Sequence, residues 1–278
     1  VIGHPIGHTL SPFIHTRLMQ LSGIDGDYGV FDVAPQELDD RFKDTLSKLD
    51  GFNATIPHKQ ALIHLLDEKD VTADLYGSVN TVAFTHNTDG TLTSKGYTTD
   101  GIGFETALKN GGIPFGKNVT IIGCGGVGRV FANVCVAQGC NLSILECDAA
   151  LASAREFAKQ LNARCGEEIA AVYSTAEFDG ESDLLVNATP LGMYPKTEGC
   201  AADDKLISKA SAVFDAVYNP CDTVLVKKAR ANGAKAMSGM TMLVYQAAAS
   251  QTIWNGSQFN PEDIDVLSND CIKELLNR

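Results

Sequence analysis

Lys59 and Asp100 are the residues of this 278-residue chain whose types and settings suggest proton transfer. Lys59 ends GFNATIPHK, a strand-like run that turns at Pro57, and Asp100 stands in KGYTTDGIGF, where one sequence pattern ends and another begins. A lone lysine near a turn is ordinarily solvated, with its charged head in water. At a junction between two domains, however, an ammonium and a carboxylate facing one another across a cleft share a proton network and can exchange a proton with a substrate hydroxyl. Asn80, in SVNTVAF, carries both a donor and an acceptor, which suits a polyhydroxylated ligand, although an asparagine at such a place is more often a turn residue.

A second set of residues points to a nucleotide. Gly123, Gly125 and Gly128 form GxGxxG in NVTIIGCGGVGRVFANVCV, directly after an apolar run and at the start of a helical pattern, with Gly126 and Val127 between the second and third glycines. The first glycine permits a tight turn, the second lets backbone amides approach a pyrophosphate, and the third lets the helix pack close to its strand. The helix start adds N–H groups and partial positive charge. Glycine-rich turns are common, and it is the strand-turn-helix setting that gives the string its meaning. Further on, NLSILECD ends in Glu146 and Asp148, where an acidic side chain can accept hydrogen bonds from an adenosine ribose. A 2′-phosphate there meets negative charge, and no Arg or Lys follows before Arg155, so NAD is expected over NADP. The plainer reading of Glu146 and Asp148 is a solvated strand end and helix cap.

The opening stretch GHPIGHTLSP sets His4, His8, Thr9 and Ser11 close together, which allows a metal site, a substrate grip or a plain loop. Zinc ligation by His4 and His8 prefers both on one helical face, and Pro5 and Gly7 make a helix there unfavourable. No cysteine or carboxylate ligand cluster accompanies them, so no metal is expected.

These groups must be positioned by an α/β framework. Apolar runs such as YGVFDV, FNATI and NTVAF alternate with the helical patterns PQELDDRFKDTLSKL and KQALIHLLDEKD, which predicts βαβ units and a parallel-leaning sheet up to about Thr99. After Asp100 the pattern restarts: a helix through Leu108, a strand at Val119 to Ile122, the glycine turn and a helix, then strands at LSIL, AAVY, DLLVNAT and AVFDAV. GMTMLVYQAAAS and PEDIDVLSNDCIKELLNR are helical again. The layout predicted is a substrate domain over 1–100, completed by 240–278, with a Rossmann-type dinucleotide-binding domain over 101–239 inserted between its parts.

Composition bounds the partners. Hydrophobic residues at 44% and charged residues at 20% are the balance of a globular domain rather than a disordered chain. A net charge of -12 argues against a nucleic-acid or anionic-membrane surface, so an anionic ligand must be held locally. No apolar run approaches the ~18 residues of a spanning helix. The eight cysteines all lie from Cys124 onward with no CxxC pair, which reads as reduced thiols in a cytoplasm. Val1 is not a methionine and a strand pattern is already under way there, so a few preceding residues are expected to be missing.

GHPIGHTLSPFIH, GFNATIPHK, GSVNTV, TTDGIGF, GCGGVGR, NATPLGM, YNPCDTVLV and GMTMLVYQAA occur in the order and approximate spacing of the shikimate dehydrogenase family, which includes quinate/shikimate dehydrogenases. The chain resembles that family over nearly its whole length. The resemblance implies two α/β domains, an N-terminal substrate domain and an inserted NAD(P)-binding domain, with the C-terminal helices returning to the first. It implies that Thr9 and Ser11 hold a substrate carboxylate, that Lys59 and Asp100 are catalytic, and that Thr55, Asn80 and Gln246 contact ring hydroxyls, with Tyr218 near the carboxylate. Around the cofactor it implies Ala188 and Thr189 beside the ribose and nicotinamide, and Gly239 and Met242 near the nicotinamide. Hydroxyl grips on a carboxylate are charge-assisted and need no lysine or arginine, which fits an acidic protein.

Three departures stand out. Thr9 replaces the serine of many shikimate-specific members, and its methyl reshapes the carboxylate pocket. Thr98 replaces the asparagine of an NTDG string. Glu146, Cys147 and Asp148 stand where NADP-using members often show Asn-Arg-Thr. The expected substrate is a hydroxylated cyclohexene or cyclohexane carboxylate: shikimate/3-dehydroshikimate first, quinate/3-dehydroquinate second, an aminoshikimate-type compound more distantly. The other class left open is a nucleotide-dependent binding or regulatory module that keeps the fold without the chemistry. A homodimer is an assembly open to such a chain.

Overall fold

The computed structural model describes residues 1–7 and 9–277. The chain forms two compact units, Val1–Gly103 with Val244–Glu274, and Phe104–Leu243 with Leu275–Arg278.

In the first unit, β1 (Ile2–Gly3) pairs in parallel with β2 (Phe31–Asp32), and α1 (Ser11–Ser22) lies between them in sequence. Pro12 sits at the start of α1, where its missing N–H costs nothing, and Gly23 closes the helix in the left-handed conformation. There follow α2 (Leu38–Asp44), β3 (Gly51–Asn53), α3 (His58–Ala61), β4 (Glu68–Lys69), α4 (Val71–Tyr76), β5 (Thr81–His86) and β6 (Leu92–Tyr97). The strand order of the larger sheet is β3-β5-β6-β4.

This sheet corrects the expected parallel lean. β3–β5 and β5–β6 are antiparallel, and only β4–β6 runs parallel. The reason is the link between β5 and β6, which is too short for a crossover. Asn87 donates from its backbone to Thr91, and Gly90 takes a φ of 84° in an Asp-Gly turn of the kind that closes hairpins. The helical pattern KQALIHLLDEKD also ends sooner than its periodicity predicts: α3 gives way to a 3-10 turn at Leu62–Leu65 and then to β4. The core of the sheet is built on Phe42, Phe52, Val79 and Val82.

The second unit begins inside α5 (Asp100–Asn110), at Phe104. Its strands are β7 (Asn118–Ile122), β8 (Asn141–Glu146), β9 (Ala170–Ser174), β10 (Ser182–Asn187), β11 (Ala210–Asp215) and β12 (Lys235–Ser238). The helices between them are α6 (Gly126–Ala137), α7 (Leu151–Cys165), α8 (Asp204–Ser208) and α9 (Val224–Ala231). The strands form one parallel sheet in the order β12-β11-β10-β7-β8-β9. The order reverses between β7 and β10, and the crevice beyond the carboxyl ends of strands at such a point is where doubly wound sheets take ligands. The Phe131 ring stacks on Phe104 and the Phe214 ring of β11 crosses it, with centres 4.2 and 4.9 Å from that of Phe104. β12 has no counterpart among the strands expected from sequence. α10 (Met240–Asn255) carries the chain back to the first unit, and α11 (Pro261–Leu276) follows.

Candidate active site

The turn Thr55-Ile56-Pro57 ends β3 and starts α3, and this is what points Lys59 inward. Thr55 is anchored through its N–H to the carbonyl of Ile2 at 3.0 Å, and its own carbonyl accepts from His58 N–H at 2.9 Å. Lys59 Nζ donates to Asp100 Oδ2 at 2.5 Å. The two side chains are 18% and 6% exposed, so the charge pair is largely out of water. Such a pair holds only when its remaining lone pairs are satisfied. Asp100 Oδ1 accepts from Asn80 Nδ2 at 2.9 Å, which meets that condition.

Asn80 is buried and fully engaged. Its Oδ1 accepts from Thr99 N–H at 2.9 Å and from the Thr81 hydroxyl at 3.0 Å, while Nδ2 also reaches Thr99 Oγ1 and, at 3.3 Å, Gln246 Oε1 on α10. Behind it lies a buried polar layer that the sequence reading missed. Asn53 Nδ2 shares its two hydrogens among Asn80 O, Thr81 Oγ1 and Ser250 Oγ at 2.9 to 3.1 Å. Its Oδ1 accepts from the Tyr28 hydroxyl at 2.6 Å. Tyr28 also hydrogen-bonds the Ser11 side chain, and burial raises its pKa well above the ordinary phenol range. Its ring stacks on His15 with centres 4.0 Å apart, and burial lowers the His15 pKa to about 3, so that ring is neutral.

Two signals could have exposed this layer: Asn53 is polar within an apolar strand run, and Ser250 lies one helical turn beyond Gln246. In the opening loop, the Thr9 hydroxyl donates to Ser11 Oγ at 3.0 Å and accepts from Ser11 N–H at 3.1 Å. Thr98, the departure beside Asp100, donates from its hydroxyl to the carbonyl of Ser78 and from its N–H to Thr72 Oγ1 at 2.9 Å. It therefore ties the end of β6 to the segment before Asn80. His4 pairs with Asp32 at an exposed position, at 2.7 Å, and His8 lies outside the described residues. Among the described residues no three His, Cys, Asp or Glu side chains gather as metal ligands.

In the second unit the glycine turn fits a dinucleotide by what it leaves out. Gly123 takes a φ of 94°, and a Cβ there meets Thr189 Cγ2 at 2.7 Å. A Cβ at Gly128 meets the Gly123 carbonyl oxygen at 2.1 Å, so no side chain fits between helix and strand. At Gly125 a Cβ meets no protein atom within 4 Å, and that open space lies at the N-cap of α6, whose first turn contains Gly126 and Val127. A pyrophosphate fits there, on amides that have no helical partner.

Glu146 ends β8 with both carboxylate oxygens on backbone amides: Oε2 accepts from Cys124 N–H at 2.7 Å and Oε1 from Cys147 N–H at 3.0 Å. Asp148 is exposed in the following turn. The expectation that no cation lies near this strand end needs correction. Arg129 comes from α6, not from the sequence after the strand, and its Nε donates to the Cys124 carbonyl at 3.2 Å.

The loops after β10 and β11 are knotted together by Asp215. This fully buried carboxylate accepts from Asn187 Nδ2 at 2.8 Å, Val217 N–H at 3.0 Å and the Thr223 hydroxyl at 2.6 Å, and burial raises its pKa. Asn187 Oδ1 in turn accepts from the N–H and hydroxyl of Thr189, which fixes Ala188 and Thr189 above β10. Tyr218 follows Asp215 in the same loop. Gly239 N–H donates to Val217 O at 3.1 Å, and a Cβ on Gly239 meets Ala216 O at 2.3 Å. Met242 is buried in the first turn of α10.

A profile of the shikimate dehydrogenase substrate binding domain matches residues 1–82. The shikimate dehydrogenase (NADP(+)) of Methanocaldococcus jannaschii is 38% identical over 281 residues, which cover 99% of this chain and 96% of that protein. The chain belongs to the shikimate dehydrogenase family. A solved shikimate dehydrogenase in complex with NADP+ is similar with a TM-score of 0.84 at 36% identity, covering 98% of this chain and 94% of its own. The quinate dehydrogenase of Corynebacterium glutamicum in complex with NAD gives a TM-score of 0.84 at 28% identity, with 98% and 97% covered. The two-unit α/β architecture with a Rossmann sheet is that of the shikimate dehydrogenase family, and the chain is an oxidoreductase of the NAD(P) class. No helix among the described residues is long and apolar enough to cross a membrane.

Proposed function

We propose that this member of the family interconverts shikimate and 3-dehydroshikimate, with Lys59 as the proton-transfer group. The observation that carries the reading is the Lys59–Asp100 contact at 2.5 Å, braced by Asn80 at 2.9 Å. A bound nicotinamide dinucleotide supplies or accepts the hydride. In the reductive direction, Lys59 as an ammonium gives a proton to the oxygen formed at the ring carbon; in the oxidative direction its amine removes that proton. Asp100 holds Nζ in place and orients the hydroxyl, and Asn80 fixes the carboxylate rotamer. Thr9 and Ser11 take the substrate carboxylate, Thr55 and Gln246 the ring hydroxyls, and Tyr218 the carboxylate side.

In the second unit, Gly123 to Gly128 receive the pyrophosphate, Ala188 and Thr189 the ribose, and Gly239 and Met242 the nicotinamide. NAD is the favoured nucleotide in this reading, and NADP the lesser one. Glu146 supports it, because its carboxylate stands where a 2′-phosphate would add like charge. Eight cysteines, none of them in a disulfide, support a reducing compartment such as the cytoplasm.

A quinate/3-dehydroquinate reaction is the second reading, favoured by the methyl of Thr9 and by the likeness to a quinate dehydrogenase. The deciding measurement is a grid of NAD and NADP against shikimate and quinate, followed by nicotinamide absorbance. Fastest turnover with shikimate and NAD is expected. Fastest turnover with quinate transfers the assignment to the second pair, and binding of both ligands without hydride transfer makes the chain a binding module.

A further inference from the structure

The second unit holds a cation that the reading above leaves unused. Arg129, the residue after the third glycine, folds back over the turn that precedes its own helix. Its Nε donates to the Cys124 carbonyl at 3.2 Å, one Nη donates to Ser153 Oγ on α7 at 3.0 Å, and the guanidinium carbon lies 4.9 Å from the centre of the Phe157 ring. Those two bonds use two of the five N–H donors of a guanidinium. Arg17 and Arg230 enter ion pairs, whereas Arg129 enters none among the described residues. A positive charge is thus fixed by packing and hydrogen bonds with no ion-pair partner among the described residues.

The place of this charge is informative. Cys124 is gripped from both sides, its N–H by the Glu146 carboxylate and its carbonyl by Arg129. When a dinucleotide lies on a glycine turn of this kind, the adenosine ribose comes to the end of the second strand, which here is β8. There a free 2′-hydroxyl and a 2′-phosphate differ chiefly in charge. Glu146 discriminates against the phosphate, and a planar guanidinium with donors to spare is suited to bind it.

We infer that Arg129, steadied by Ser153 and Phe157, is the residue that recognises the 2′-phosphate of NADP and lets this chain bind that nucleotide in spite of Glu146. The inference rests on the dinucleotide reading of the glycine turn and adds to it the residue that sets nucleotide choice.

The test is direct binding by calorimetry, with NADP+, NAD+, adenosine 2′,5′-bisphosphate and adenosine 5′-monophosphate as ligands for the full chain and for Arg129→Gln, Arg129→Lys and Glu146→Gln. Loss of a charge-assisted phosphate contact in Arg129→Gln is expected to raise Kd about tenfold or more for the two 2′-phosphorylated ligands and to leave the other two within about twofold. Arg129→Lys is expected to fall between, since an ammonium keeps the charge and loses the fork. Glu146→Gln is expected to tighten the 2′-phosphorylated ligands, an effect that does not depend on how the Arg129 variants fold.

Equal weakening of all four ligands in Arg129→Gln makes Arg129 a prop for the turn and overturns the inference, as does no change in any of them. If the unmodified chain binds none of the four, it is the dinucleotide reading itself that fails.

Discussion

The lysine-aspartate pair of the first unit and the glycine turn of the second are built by opposite means for the roles proposed for them. Around Lys59 the arrangement is one of side chains: Asp100, the neighbours Asn80 and Thr81, Asn53 and Ser250 come from four segments and spend most of their polar atoms on one another. At Gly123 to Gly128 the work is done by missing side chains, which let backbone amides and a helix start come close to a ligand. A network of the first kind loses function when a group is removed, and a turn of the second kind loses it when a group is added.

The strongest test of that contrast is Lys59→Met. It is expected to lower kcat by about 10²- to 10⁴-fold, the span typical of general acid–base groups, while the dinucleotide Kd stays within about twofold. Steady-state kinetics beside calorimetry check it, and equal losses in both count against the assignment.

Gly128→Ala is the reverse experiment. The added Cβ, 2.1 Å from the Gly123 carbonyl oxygen, forces α6 away from β7. A loss of about 1–3 kcal/mol of stability is expected from overpacking. The dinucleotide Kd is expected to rise with it by about tenfold, equivalent to 1.4 kcal/mol. Denaturant titration and calorimetry measure the two effects, and an unchanged Kd breaks the link between close packing and nucleotide affinity.

Acid sharpens the comparison, because a buried neutral ring belongs to the side-chain region only. Burial holds the His15 pKa near 3 against an ordinary 6.5, so below pH 6.5 the unfolded chain takes up a proton that the folded chain refuses. The stability that His15 contributes is complete above that pH and is lost as pH falls toward 3, at about 1.4 kcal/mol per pH unit. Unfolding free energies from urea titrations of the parent chain and His15→Phe, which keeps a ring against Tyr28, are expected to converge by that slope on acidification. Parallel curves exclude it.

The smallest effect is expected for Ser250→Ala. Asn53 keeps two other acceptors and Thr81 keeps Asn80, so the cost is about 1 kcal/mol of stability. A matching fall in kcat/KM for the carbon substrate, with nucleotide affinity unchanged, is the expected signature.

The same contrast explains what was legible in the sequence. The Rossmann unit is built from local signals, an apolar strand followed at once by glycines and a helix, and five of its six strands are marked by apolar runs. β12 was missed because Lys235–Ser238 is short and only half buried. The hairpin of the first unit is signalled by Asp89-Gly90 alone, a short turn set within a longer alternation of apolar runs and helical patterns that reads as βαβ. Lys59 and Asp100 could be named because a junction and a resemblance marked them. Tyr28 carries no such mark, and the local signals at Asn53 and Ser250 gain their meaning only from partners up to 197 residues away. Arg129 was missed for a related reason: nearness to Glu146 was judged along the chain, whereas the helix brings it back across the turn.

That long separation sets an order of events during synthesis. The polar groups of Asn53 and Thr81 are made early and must await Ser250, and Asn80 must await Gln246, before the layer behind the ion pair is complete. A ribosome-bound chain stalled after β12 would already contain all the strands of the Rossmann sheet, yet would still lack these late partners. The nascent chain is therefore expected to complete its Rossmann sheet before the polar layer around Asn80 closes.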